Sequence, residues 1–310
     1  MLTVLFAVFW TFLLNIIKVT GVGPALSLAV PVFLGGISAI ALYFRRDHQT
    51  LEYDETGYRI LRGNRILDDH SWSEFKECSV IRDSYGRRRV RVYEERDSRH
   101  VEIDPSACGI DPYILRDFIA GRIRSGSVSY EESAAIGPIF DGLEKEIQRG
   151  RANWVADLGE TFRGYQISGE IFPLIARGGT RPKGFLLSRF VAMTIMPNYE
   201  VCLYAHDIGN SGSDAKSRIM RLIRVIETQR DQKNIKWSWL LLFGDQEPST
   251  SVSRLIETFG NKDVGIGCID VGTGRMVASP NQLGKSLSNQ MRFHRLIRDL
   301  NKRKRLAARG

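Results

Sequence analysis

The first 44 residues carry no acidic side chain and one basic side chain, Lys18, and this apolar stretch constrains the fold more than any other feature. It contains two apolar runs, 2–17 and 22–44, separated by a Gly-Pro turn. The second run has 23 residues, and about 20 suffice to cross the hydrocarbon core of a bilayer. The sequence therefore predicts a transmembrane helical hairpin over residues 1–45, with a single uncleaved anchor as the alternative.

Two arginines, Arg45 and Arg46, follow the second run directly. Basic residues flank membrane spans on the cytoplasmic side. This rule predicts a protein of the inner cell membrane, with the membrane as its first partner and every later residue in the cytoplasm.

The length and charge of the chain limit its organisation. Its 310 residues leave room for about two domains, and 43% hydrophobic with 25% charged residues excludes a wholly disordered chain. The net charge of +9 is uneven, because residues 44–125 are neutral and the last 19 residues carry +7. This distribution argues against a basic globular domain that binds nucleic acid.

Short strands separated by turns follow residue 46. Asp54–Gly57 and Arg62–Asn64 are turn signals. Arg88–Glu94 alternates basic and apolar residues, which predicts a strand with one exposed and one buried face. Apolar residues then recur at helical spacing in Asp111–Ile123. These patterns predict a small β domain over residues 46–125 that is closed by one helix.

This order of elements, with Tyr58–Arg62 after a Thr-Gly turn and with Ser71–Phe75, resembles the pleckstrin-homology-like (PH-like) domains of prokaryotic membrane proteins. The resemblance implies a β-barrel capped by a helix, which acts as a scaffold or interaction module. The triplet Arg87, Arg88 and Arg89 is the candidate for binding anionic lipid headgroups. A solvated hairpin end is the alternative interpretation of that triplet.

Small and polar residues predict a linker over 126–140, followed by an α/β domain over 141–290. Leu143–Leu158 predicts a helix, and strands and helices alternate between Tyr199 and Val271. One of these helices, after Asp214, has the i, i+3, i+4, i+7 apolar spacing of a single buried stripe. The predicted fold class is a membrane-anchored multidomain chain: a transmembrane hairpin, a small PH-like β-barrel with its capping helix, and an α/β sandwich.

The order of the elements in this domain, and especially the strand Val264–Asp270 with Gly274–Val277 behind it, resembles the restriction-endonuclease-like fold. Nucleases of that fold need an acidic residue on one strand and Asp/Glu-x-Lys on the next to hold Mg²⁺. Glu200 and Asp207 lack a lysine two residues on. We therefore assign no catalytic residue and expect neither a metal nor a cofactor; if the chain bound a metal, Glu200, Asp207 and Glu170 would be the candidates.

Basic side chains crowd the tail, residues 291–310, on either side of an apolar stripe that includes Leu296 and Leu300. This pattern predicts a basic amphipathic helix with anionic lipid as its partner. Contact with RNA or DNA and a merely solvated end are the alternatives. The candidate anion-binding residues here are Arg292, Arg295, Arg298, Lys302, Arg303, Lys304 and Arg305.

Taken together, the patterns predict a membrane-anchored scaffold or regulatory binding protein that faces the cytoplasm and has an unidentified protein partner, rather than an enzyme. The alternative is a membrane-tethered, nuclease-like enzyme or a nucleic-acid-binding protein. Four scattered cysteines without a Cys-x-x-Cys pair indicate neither a zinc site nor a disulfide framework.

Overall fold

The computed structural model describes residues 49–94, 99–123, 136–149, 156–180, 199–209 and 214–290. The strands in these ranges are β1 (Gln49–Tyr53), β2 (Gly57–Arg62), β3 (Arg65–Ser71), β4 (Glu77–Arg82), β5 (Arg88–Tyr93), β6 (His100–Ile103), β7 (Ala156–Ile167), β8 (Glu170–Thr180), β9 (Glu200–Asp207), β10 (Trp237–Gly244), β11 (Val264–Asp270) and β12 (Met276–Ala278). The α-helices are α1 (Pro112–Ile123), α2 (Gly137–Gln148), α3 (Ala215–Lys233), α4 (Thr250–Glu257) and α5 (Gln282–Gln290).

The described residues divide into two compact units, one that holds residues 49–52 and 60–68 and one that holds residues 53–59 and the described residues from 69 onward. Strands β1, β2 and β3 form a three-stranded sheet in that order. The turn before β2 closes on Asp54, whose Oδ1 accepts hydrogen bonds from the backbone N–H groups of Thr56 (2.7 Å) and Gly57 (3.0 Å). The turn predicted at Asp54–Gly57 is therefore confirmed.

The other nine strands form one sheet in the order β12-β11-β10-β9-β8-β7-β4-β5-β6. Strands β9, β10 and β11 are parallel to one another, whereas β8 pairs antiparallel with β9. Parallel neighbours need a crossover connection, and α3 and α4 provide the two crossovers. Because both faces of these three strands are covered, β10 is an almost continuous apolar run.

Helices pack on both faces of the parallel strands. Helices α3 and α4 contribute to one hydrophobic core, and α2 and α5 contribute to the other. The predicted stripe on α3 is confirmed as buried; its members are Ile219, Leu222, Ile223 and Ile226. The alternation of strands and helices predicted between Tyr199 and Val271 is confirmed as well.

Gly265 lets α5 pack closely against β11. A Cβ atom at Gly265 would lie 2.6 Å from the backbone carbon of Leu283 and 2.7 Å from the backbone nitrogen of Gly284. Real Cβ atoms do not approach backbone so closely, so this position requires glycine.

The predicted fold class is wrong. Among the described residues, no helix has the length and apolar character that a membrane crossing requires; the hairpin predicted over residues 1–45 lies outside those residues. Strands β4, β5 and β6 do not close a barrel of their own. They extend the sheet of the α/β layer, because β4 pairs with β7 through Val80–Thr161 and Ile81–Glu160.

Part-buried polar contacts secure this junction between β4 and β7. The Glu160 carboxylate accepts hydrogen bonds from Ser79 Oγ (2.7 Å) and from Tyr93 Oη, and Arg91 Nη1 lies 3.6 Å away. These contacts join β7 to β4 and β5. The Glu160 carboxylate thus has hydrogen-bond donors and a nearby positive charge at the boundary between the two predicted domains.

A second buried contact joins helices α1 and α2. Arg116 and Glu144 are only 2% and 1% exposed, and Arg116 Nη1 donates to Glu144 Oε1. The same carboxylate oxygen accepts from Thr161 Oγ1 on β7 at 2.7 Å. The helix predicted to close the first domain is therefore tied to the first helix of the second.

One single and one double substitution at Arg116 and Glu144 test this link. Arg116→Met leaves the Glu144 carboxylate buried and unpaired, and it should lower the free energy of unfolding by about 3–5 kcal/mol. Adding Glu144→Leu removes both charges and should recover most of the loss, because a buried ion pair is often replaceable by apolar residues. Urea unfolding of the three chains measures both effects; equal losses in the single and double variants would contradict the link.

Candidate ligand site at the carboxyl edge of the sheet

Carboxylates lie at the carboxyl ends of three adjacent parallel strands. Asp207 ends β9, Asp270 ends β11, and Asp245 directly follows β10. Asp207 is paired with Phe243 and Asp270 with Gly244, so all three acids lie at one edge of the sheet. Ligands of open α/β sheets bind outside this edge. This edge is therefore the candidate functional site.

Asp270 serves the fold. Its Oδ1 accepts from the backbone N–H of Gly272 (2.8 Å), and its Oδ2 accepts from Thr273 Oγ1 (2.5 Å). Both carboxylate oxygens thus close the turn between β11 and β12, and the residue is 3% exposed. Asp270 is therefore a structural residue of this turn.

Asp207 is placed differently. Its side chain is partly buried, and its Oδ1 accepts from the backbone N–H of Gly209 at 2.6 Å. No group in the described part of the chain donates to Asp207 Oδ2 or pairs with the exposed Asp245 carboxylate. Burial raises the pKa of Asp207 above its usual value, the Gly209 N–H opposes that rise, and the negative charge of Asp245 adds to it.

Positive potential faces the same edge from helix α3. The N-cap residue Asp214 makes no side-chain hydrogen bond to the first turn of α3. Arg218, one turn into the helix, lies close enough for its charge to lower the pKa values of both Asp207 and His206. A helix N-terminus together with an arginine favours an anionic group at this position.

His206 supports the backbone of Asp207 from inside the core. It is 2% exposed, and its Nδ1 donates to the backbone carbonyl of Asp207 at 2.6 Å. Its ring meets Phe172 edge-on, with the ring centroids 5.8 Å apart. Burial, with help from the charge of Arg218, lowers the pKa of His206 to about 4, so its imidazole is neutral at pH 7.

The structure separates the sequence-predicted acids. Glu200 and Asp207 lie at opposite ends of the eight-residue strand β9, about 23 Å apart at the rise of an extended strand. They cannot contribute to one site. Glu170 begins β8, which runs antiparallel beside β9, so it lies at the same edge as Asp207; its Oε1 is 3.3 Å from Arg221 Nη1.

The arginine triplet is split between two environments. Arg87 Nε pairs with Asp83 Oδ2 and Arg89 Nη1 with Glu102 Oε2, both at 3.0 Å. The Arg88 guanidinium instead lies 5.8 Å from the ring centroid of Tyr113. The three arginines therefore do not form one basic patch, and the basic tail lies outside the described residues.

No three His, Cys, Asp or Glu side chains of the described residues are arranged to hold a metal ion among themselves. Magnesium ordinarily uses one or two protein carboxylates and completes its coordination with water and ligand phosphates. The pair Asp207 and Asp245 suits such a shared site, in which the ligand supplies the remaining oxygens.

Comparison with known proteins found no match for the chain among protein-family models, curated proteins or solved structures. The resemblances to PH-like domains and to the restriction-endonuclease-like fold therefore stay predictions. Sequence reasoning also missed Asp245 as a partner of Asp207. The signal was an acidic residue at or just after the end of each apolar strand, and it becomes meaningful only once the strands are known to be parallel neighbours.

His206 should make the stability of the fold pH-dependent. Its folded-state pKa of about 4 lies below the usual 6.5, so the unfolded chain binds the proton first and stability falls as the pH drops through this window. Between pH 7.5 and pH 5, the stability advantage of the wild type over His206→Gln should shrink by about 2 kcal/mol. Urea unfolding at both pH values measures this, with His100→Gln as the control; a pH-independent difference would contradict a buried neutral histidine.

Proposed function

We propose that the chain binds a phosphate-bearing ligand together with a divalent cation at the carboxyl edge, using Asp207 and Asp245. The observation that carries this proposal is the Asp207 carboxylate: it is partly buried, lies within electrostatic reach of Asp245, and has one oxygen without a donor among the described residues. Such a carboxylate reduces the stability of the fold, and groups of this kind concentrate at functional sites.

A divalent cation suits this pair electrostatically. Two nearby carboxylates repel each other, and this repulsion contributes to the raised pKa of Asp207. A cation between them removes the repulsion and stabilises both ionised forms. Two carboxylates leave most of the coordination positions of magnesium open, and phosphate oxygens are its usual additional ligands.

The surroundings of the pair suit the phosphate. Helix α3 begins eight residues after Asp207, and its first turn receives no hydrogen bond from the Asp214 side chain. Arg218 adds a full positive charge within electrostatic reach of Asp207. Helix N-termini and arginines are common phosphate partners. The proposed ligands are therefore phosphate esters that bind together with a divalent cation, such as nucleotides.

Calorimetric titration of the full chain tests the proposal with ADP as the probe. Mg-ADP should bind, whereas ADP with EDTA should not bind at this site. Asp207→Asn should weaken Mg-ADP binding by about tenfold or more, a loss of about 1.4 kcal/mol. Asp231→Asn, which removes the same charge from an exposed position on α3, should leave it unchanged. Equal affinities in the two variants, or no binding of Mg-ADP by the wild type, would refute the proposal.

Asp207→Asn should also raise the stability of the unliganded chain. Because the folded-state pKa is raised, the ionised carboxylate destabilises the fold at neutral pH, and that penalty is relieved as the pH falls through the folded-state pKa. In EDTA at pH 7.5 we expect a melting temperature about 1–3 °C above that of the wild type, and a smaller gain under acidic conditions. A lower melting temperature would mean that the fold needs the carboxylate.

A further inference from the structure

Three elements bring positive side chains to one aromatic ring, far along the sheet from the carboxyl edge. Tyr113 lies near the start of α1, Arg88 begins β5 and Lys145 lies on α2. The Arg88 guanidinium and the Lys145 ammonium are each 5.8 Å from the centroid of the Tyr113 ring. Arg116 is similarly close, at 5.7 Å.

Only one of these three cations is neutralised by the protein. Arg116 pairs with the buried Glu144 and with Asp117, whose Oδ1 is 2.7 Å from Arg116 Nη2. In the described part of the chain, no carboxylate forms an ion pair with Arg88 or Lys145. The two neighbours of Arg88 in the triplet differ from it, because Arg87 pairs with Asp83 and Arg89 pairs with Glu102. Arg88 and Lys145 therefore both lie beside this ring without an ion-pair partner among the described residues, while the negative charges of Glu144 and Asp111 also act on Tyr113.

Two buried donor atoms of these residues lack an acceptor within the described part of the chain. Tyr113 Oη and Arg88 Nε are both shielded from solvent, and neither has a hydrogen-bond partner among the described residues. Burial raises the pKa of Tyr113 to about 12, so its hydroxyl remains a donor at physiological pH. Buried polar atoms are nearly always hydrogen-bonded in native proteins. A group that only accepts hydrogen bonds would satisfy both atoms.

We infer that Arg88, Tyr113 and Lys145 form a binding site for a phosphate-type dianion, either inorganic phosphate or a phosphate monoester. Arg88 and Lys145 offer two positive charges without an ion-pair partner in the described ranges, which suits a dianion better than a monoanion such as a carboxylate. An arginine fork, a hydroxyl and an ammonium supply enough donors for the oxygens of one phosphate. This site needs no divalent cation, so it is independent of the function proposed for the carboxyl edge.

The test uses the full chain in EDTA, which removes any cation-dependent binding at Asp207. Inorganic phosphate should raise the melting temperature of the wild type and bind in a calorimetric titration with millimolar or tighter affinity. Arg88→Gln and Lys145→Gln should each weaken this binding by about tenfold. Arg87→Gln is the matched control, because it removes the same charge one residue away from an arginine that already has a partner.

Lys145 is exposed, so Lys145→Gln keeps the test decisive even if Arg88→Gln reduces folding. Tyr113→Phe should weaken phosphate binding without lowering the melting temperature in phosphate-free buffer, which separates binding from packing. Asp207→Asn should leave phosphate binding unchanged. Absence of phosphate binding by the wild type, or equal affinities in Lys145→Gln and Arg87→Gln, would overturn the inference.

Sedimentation with phosphatidylcholine vesicles that contain phosphatidic acid identifies the source of the phosphate. Sedimentation that weakens in Lys145→Gln but not in Arg87→Gln would assign the site to a lipid phosphate. Sedimentation that is equal in the two variants, with phosphate binding still dependent on Lys145, would assign it to a free phosphate or a soluble monoester.

Discussion

The architecture depends on the pairing of β4 with β7. This pairing joins three antiparallel strands from the first third of the chain to six strands from the rest, and it makes one nine-stranded sheet. This pairing removes a set of polar groups at the junction from solvent, and such groups need hydrogen-bond partners within the protein. Ser79 and Tyr93 donate hydrogen bonds to Glu160, and Arg116 and Glu144 form a buried ion pair between the two helices packed beside the junction.

The polar groups of the described residues fall into two classes, and the difference bears on function. Glu160, Glu144 and Asp270 are surrounded by donors that their own fold supplies. Asp207 and Arg88 are not: each holds a charge in a partly buried position without a counter-charge paired to it. Because uncompensated charges reduce stability, those that persist are better explained by a ligand than by folding. The two sites differ in sign, one acidic and one basic, and they lie on different parts of the sheet.

Regular apolar periodicity was predictable from the sequence, and irregular strands were not. The stripe on α3 and the apolar run of β10 are strong local signals, so their elements were found. Strands β7 and β8 were missed, and the helix predicted over Leu143–Leu158 in fact ends at Gln148. Gly164 has a positive φ of 55° in β7, and the register with β8 shifts between Leu158 and Glu160. Such interruptions break the two-residue alternation by which a strand is recognised.

The candidate sites show the same limit. Of the acids considered from the sequence, Asp207 lies at the carboxyl edge, and Glu200 lies at the far end of the same strand. Of the arginine triplet, Arg88 lies beside Tyr113, whereas Asp83 and Glu102 neutralise Arg87 and Arg89. The sequence alone does not predict which of these acids and arginines share a site. Their placement depends on which strands are neighbours and on which carboxylates those strands contribute.

By itself, the sequence determined the local elements with strong periodicity, the uneven charge and the residue types available for binding. Tertiary structure alone decided that the two predicted domains share one sheet, that Asp207 and Asp245 lie at one edge, and that Arg88 and Lys145 meet at Tyr113. The physical reason is that local patterns report burial and spacing along one element. Strand order, register and charge compensation arise between elements that are distant in sequence, such as β4 and β7, where Val80 and Thr161 are 81 residues apart.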